Sequence, residues 1–196
     1  MNKESIVLGS GDLYCTTFAG RNTALPTNAE IETEENRLGH IKGGAELEYK
    51  PSFYEAKDDM GKVSKVIMTE EEATLKSGIM TWCGTTLEKL SSTARVTEDA
   101  ENHKRIVKIG GAANATGTSY VIHFVHKDDV DGDVRVTIVG KNQAGFTIAF
   151  AKDSETVIDA EFKAQPMDTE GTLIYYEEEM DAEDSSNTDP TTDPEP

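Results

Sequence analysis

The chain has 196 residues, 36% of them apolar, and a formal net charge of −18 at pH 7. That length suits one domain with a sizeable core and is short for two. Nine acidic and no basic residues fall in Glu177–Pro196, which leaves −9 for the rest, and so acidic a body argues against direct nucleic-acid binding, which needs clustered Lys and Arg on phosphates.

Residues 1–38 read as an N-terminal arm with little regular structure. Met1–Gly9 lacks the apolar run of a signal peptide. Leu13–Phe18 could form a short strand, and Ala24–Arg37 is polar and interrupted by Pro26 and by acids. Residues 39–178 read as one β domain. Gly43–Lys50 alternates in polarity, Glu55–Lys62 is a charged break, and Val63–Met68 starts a second strand that runs into Glu70-Glu71-Glu72. The pattern predicts a hairpin over 43–76 and a helix over about 78–91, with Ile79, Cys83, Leu87 and Leu90 on one stripe.

Further strands are predicted at Arg105–Ile109, Ser119–His126, Val134–Val139, Gly145–Phe150, Thr156–Ala164 and Thr172–Glu178. Ser119–His126 is apolar on both faces, with Tyr120, Ile122 and Phe124 on one and Val121 and Val125 on the other, so it should be covered on both sides. Many short strands, frequent turns and one helix indicate a mainly β fold, sandwich or barrel-like, with a flanking α-helix. Residues 179–196, acidic and carrying Pro190 and Pro194, read as a disordered tail, because they cannot bury enough apolar surface to offset their ordering entropy. No apolar run approaches the ~20 residues of a membrane span, so a soluble protein is expected.

Motifs that could carry chemistry are few. Lys127–Asp133 places Asp129, Asp131 and Gly132 as in a calcium loop, but the first ligand position falls on Lys127 and the twelfth on Ile138, so a hairpin turn is the better reading. His123 and His126 lie three apart on a strand and should point to opposite faces, while His40 and His103 are isolated. Cys15 and Cys83 sit in apolar surroundings without CxxC spacing and read as reduced core residues. Gly9-Ser10-Gly11 lacks the strand and helix of a dinucleotide loop and reads as a turn. No metal, cofactor or catalytic set is expected, and the chain does not read as an enzyme.

Two strands present two acids and a base on their polar side: Glu46, Glu48 and Lys50 on one, Asp159, Glu161 and Lys163 on the other. By pattern alone each is an ordinary solvated sheet face.

The segments GHIKGGAELEYKPSFYEAKDD and EEATLKSGIMTWCGTTLEKLSS, followed by Glu161–Asp168 and Gly171–Tyr176, resemble the major tail tube protein of long-tailed bacteriophages over most of residues 10–178. The resemblance implies a β-sandwich flanked by a helix and assembled in hexameric rings, whose inner strands join into one continuous barrel. Rings would stack into a tube around a tape measure protein, between tail initiator and tail terminator proteins. The tube would be built in the host cytoplasm, reside in the virion and conduct DNA without binding it specifically. Under this resemblance Glu46, Glu48, Asp159 and Glu161 are candidates for the lumen. The loop Tyr54–Lys62, with Glu55, Lys57, Asp58, Asp59 and Lys62, is the candidate ring-to-ring contact. A solvated hairpin tip is the plainer reading of that loop. The sequence carries no added immunoglobulin-like domain of the kind found in longer members of that family. Two other readings stay open: the inner tube of a contractile injection or secretion system, and a monomeric ligand-binding β-sandwich.

Overall fold

A computed structural model describes residues 10–60, 62 and 64–180. In chain order it contains β1 (Asp12–Thr17), α1 (Asn28–Ile31), β2 (Arg37–Gly39), β3 (Ile41–Lys57), β4 (Ser64–Ile79), α2 (Gly84–Leu90), β5 (Arg95–Asp99), β6 (Lys104–Lys108), β7 (Tyr120–His126), β8 (Val134–Asn142), β9 (Ile158–Gln165) and β10 (Ile174–Glu178). The fold is mainly β, with one large antiparallel sheet and two short helices.

The sheet runs β2-β1-β7-β8-β9-β4-β3, and β10 pairs with the first half of β8 while β9 pairs with its second half. β2 and β3 are separated only by His40, so the two ends of the strand path belong to one stretch of chain. The sheet must therefore curl. Leu13 and Leu38 from one end meet Leu75 and Ile79 from the other in a single buried cluster with Ile122, Ile138, Ile158 and Phe162. Burying each such side chain contributes about 1.5–3 kcal/mol. At the joint, Gly39 has φ 155°, and a Cβ there would strike the Thr81 carbonyl. Leu87 and Leu90 of α2 pack against this inner cluster.

The outer face has a second cluster of Tyr14, Ile31, Val121, Val125, Val139 and Met167, covered by residues 18–36. β7 is thus apolar on both faces because both are covered: its Ile122 packs in the inner cluster and its Val121 and Val125 in the outer.

Several expectations need correction. In the arm expected over 1–38, the short strand expected at Leu13–Phe18 is present as β1, hydrogen-bonded along β7, and α1 and β2 add regular structure that was not expected there. Leu13, Tyr14 and Cys15 are all buried, so no alternation marked the strand. The helix expected over about 78–91 is only Gly84–Leu90; Ile79 ends β4, and Cys83 sits just before α2 and is exposed. Gly145–Phe150 forms no strand, although Phe146 and Ile148 pack against the core from a loop. β5, by contrast, was hidden in a polar run and pairs with β6 in a separate two-stranded sheet. The tail beyond Met180 lies outside the described residues.

Candidate functional site: a charged sheet face and a projecting hairpin arm

Register brings the four candidate acids onto one face. Lys76 of β4 stands opposite Glu46 of β3 on one side and Glu161 of β9 on the other. One row along, Thr74 lies between Glu48 and Lys163; in the other direction Gly78 lies between Lys42 and Asp159. Residues directly opposite share a face, so Glu46, Glu48, Asp159 and Glu161 alternate there with Lys42, Lys76 and Lys163. Lys50 and Glu72 extend the same face.

That face mixes five acids with four lysines, and several of them pair. Glu48 contacts Lys50 at 2.6 Å and Lys76 at 3.6 Å, and Lys76 reaches Glu46 at 3.8 Å. Lys163 meets Glu72 at 2.9 Å, and Lys42 pairs with Glu155. The hydrogen bond from Lys50 holds the Glu48 carboxyl below its ordinary range. Exposed pairs of this kind are worth about 0–1 kcal/mol each, so they set the character of the face more than its stability. A cleft of about 340 Å³ opens between Lys42, Glu46, Lys76, Asp159 and Glu161. It lies where β3 bulges at Gly43 and Gly44, both at positive φ, and where the Ser77 hydroxyl donates to the Gly44 carbonyl at 3.0 Å.

The second feature is the outer part of the β3–β4 hairpin. β9 supports β4 only over Thr74–Ile79. Beyond that, Lys50–Lys57 and Ser64–Glu72 continue as a two-stranded arm with every residue exposed. At roughly 3.3 Å per residue, Ser64–Glu72 projects about 30 Å. A bulge at Ser52/Phe53, where the Thr69 hydroxyl donates to the Ser52 carbonyl, rotates the outer part. Past it, Phe53 pairs with Met68 and Glu55 with Val66 on one face; Tyr54 pairs with Ile67 on the other. Both faces are therefore apolar and uncovered, with Phe53 61% and Met60 74% exposed. Among the candidate contact residues, Glu55 and Lys57 lie on β3 and pair with each other at 2.9 Å. Asp58, Asp59 and Lys62 form the tip. Sequence reasoning picked out the charges and missed the apolar arm beneath them. The run Val66-Ile67-Met68 was the available signal.

Elsewhere the structure supplies local roles. In the 127–133 turn, an Asp128 carboxylate oxygen accepts the backbone N–H of Val130 at 2.8 Å and of Asp131 at 3.1 Å. Among the described residues, no group of three or more His, Cys, Asp or Glu side chains is placed to hold a metal ion. Cys15 and Cys83 are both free. Burial pushes the Cys15 thiol up to about 12. Burial also raises Cys83, but the hydrogen bonds from Thr85 and Thr86 outweigh it and bring that thiol down to about 7. Among the described residues, no helix is long and apolar enough to cross a membrane.

No protein-family model matches the chain, and no curated protein matches it.

Proposed function

We propose that the chain is a structural protein that polymerises, as stacked and hexameric rings, into a tube of the long-tailed phage type, and that it is not an enzyme. The observation that carries this reading is the arm. A lone two-stranded hairpin is marginal in water, and this one exposes large apolar side chains on both faces. An apolar surface of that extent signals a partner, and two uncovered faces call for contact on both sides. A second copy in the next ring, reached past the Asp58–Lys62 tip, provides it.

Two further features support the reading. β3 ends the strand path and carries an outer edge with no partner among the described residues, which a neighbouring subunit's strand can extend into a barrel shared around the ring. The face bearing Glu46, Glu48, Asp159 and Glu161 is wet, with Glu46 and Glu48 paired to lysines and no clustered net positive charge, as a lumen that conducts DNA requires. Tape measure, initiator and terminator proteins would be its partners, with the virion as its location.

The test is electron microscopy of the purified, concentrated protein, alone and with a tail initiator. Rings or tubes are expected. A protein that stays monomeric under both conditions overturns the reading in favour of a monomeric β module.

A further inference from the structure

Residues 18–36 cross the outer face as a strap over the second apolar cluster. The strap is held at one end by side chains. Ile31 is its buried knob, packed with Tyr14, Val121, Val125, Val139 and Met167. Next to it, Glu32 is only 11% exposed and accepts from Arg135 Nε at 2.7 Å. The same Glu32 oxygen lies 3.4 Å from His123 Nε2, while the other lies 3.4 Å from Lys127 Nζ. Asn28 donates to Glu177 at 2.7 Å. Backbone hydrogen bonds pin the strap's two ends, from Phe18 N–H to the Ser119 carbonyl and from Cys15 N–H to the Asn36 carbonyl, and between them two clefts of about 520 and 500 Å³ flank Thr23–Leu25, one toward Met167 and Tyr175, the other toward Phe18 and Val121.

The charges around this clasp come from every element that meets it. Glu32 belongs to the strap, His123 and Lys127 to β7 and its end, and Arg135 and Asp133 to β8 and its approach. Glu177 and Glu179 belong to β10 and its exit, each within 4 Å of Arg135. Tyr14 of β1 stands 6.3 Å from the His123 ring; beside it Arg37 pairs with Asp12 at 2.9 Å. His123 is buried, its Nδ1 2.8 Å from the Thr137 hydroxyl. As a neutral ring it donates from Nε2 to Glu32 and accepts at Nδ1 from Thr137. A proton added at Nδ1 would turn the Thr137 hydroxyl round to accept from it, and would place a second cation beside Arg135 out of contact with water.

We propose that residues 18–36 form an acid-released strap, clasped by Glu32 and His123 at neutral pH and lifting from the sheet on mild acidification while the rest of the fold stays intact. The linkage has a definite sign. Burial holds the His123 pKa below its ordinary 6.5, against the pull of Glu32. With the strap lifted the ring meets water and regains that ordinary value. The open form therefore binds the proton more readily, and closure weakens as pH falls below about 6.5. Glu32 is pushed up by burial but brought below its ordinary range by Arg135 and His123, so it adds the same sign only at more acidic pH. The device does not depend on the tube reading.

Hydrogen–deuterium exchange on the full chain tests it, at about pH 7 and about pH 5, with rates corrected for intrinsic pH dependence. Peptides from residues 18–36 should lose protection at the lower pH, while β7 keeps its protection. His123→Gln can still donate to Glu32 but cannot titrate, and should keep the strap closed at pH 5. If that variant does not fold, Glu32→Gln serves, with the strap already exchanging at pH 7 as the wild type does at pH 5. Strap protection unchanged by acid, β7 and the strap losing protection together, or acid opening that persists in His123→Gln would each overturn the proposal.

Discussion

One strand contains two different environments. From Thr74 to Ile79, β4 lies between β3 and β9 and buries Leu75 and Ile79 in the inner cluster. From Ser64 to Glu72 the same strand, hydrogen-bonded to the same partner, has no third strand beside it among the described residues and no side chain buried. Apolar residues occur in both halves. The inner half explains its own within the chain; Val66, Ile67 and Met68 of the outer half have no such explanation in a single copy. Pairing between β3 and β4 thus runs on from Ile41 to Lys57, broken only by its two bulges, while tertiary burial stops abruptly at residue 73. Under the proposed assembly, the outer half stabilises contacts between copies and not the fold of one copy.

The largest effects should separate the halves. Leu75→Ala removes a fully buried side chain that faces Phe162 across β4 and β9. It should cost about 2–5 kcal/mol, and Phe162→Ala about 3–5 kcal/mol, measured by denaturant unfolding of the monomer. The paired change Phe53→Ser with Val66→Ser, on one face of the arm, should leave monomer stability within about 0.5 kcal/mol and yet abolish rings and tubes by microscopy. An arm variant that unfolds the monomer, or one that assembles normally, would erase the contrast between the halves.

Much of this was legible in the sequence where one physical rule acted alone. The hairpin was visible because β3 alternates near Glu46 and Glu48, and β7 because both its faces are apolar. The four candidate acids were correctly assigned to polar strand faces. That register would bring all four together on one face, and interleave them with Lys42, Lys76 and Lys163, was not legible: pairing between β4 and β9, about 85 residues apart at Lys76 and Glu161, leaves no local trace. β1 was legible as a short strand at Leu13–Phe18, one residue out of register with Asp12–Thr17, but not its place beside β7. The helix was overextended because Ile79 and Cys83 match a helical stripe by spacing, while Ile79 is in fact held at the end of β4 by pairing with Ile41 and Ile158. Glu32 and His123 gave no signal, since they lie 91 residues apart.

A subtler perturbation acts at the tip of the arm. Asp58→Lys with Asp59→Lys reverses charge without touching an apolar contact. Opposed charges at an interface fix register and encounter rate more than affinity. The double variant should keep the monomer fold, judged by an unchanged unfolding midpoint, and slow or misalign the stacking of rings, judged by the length and regularity of tubes. Normal tubes would place the ring-to-ring contact on the apolar faces alone and make the tip a bystander.

The smallest structural effect, and the sharpest test of what the supported half presents, concerns the charged face. Its acids and lysines are interleaved in rows across β3, β4 and β9, so the face offers a polyanion no net attraction. Glu48→Lys with Glu161→Lys breaks that pattern at two rows. Glu48 would no longer accept from Lys50 and Lys76, and Glu161 would no longer stand opposite Lys76. Exposed pairs contribute about 0–1 kcal/mol each, so folding and assembly should persist. The added lysines should gather phosphate and release its counterions, giving tubes that retain DNA at low salt and shed it steeply as salt rises. Filter retention of DNA against salt concentration measures this directly. Tubes that assemble with both substitutions and still hold no DNA would put this face on the outside of the tube, away from the passing polymer, and would leave the inner wall to be sought among other strands.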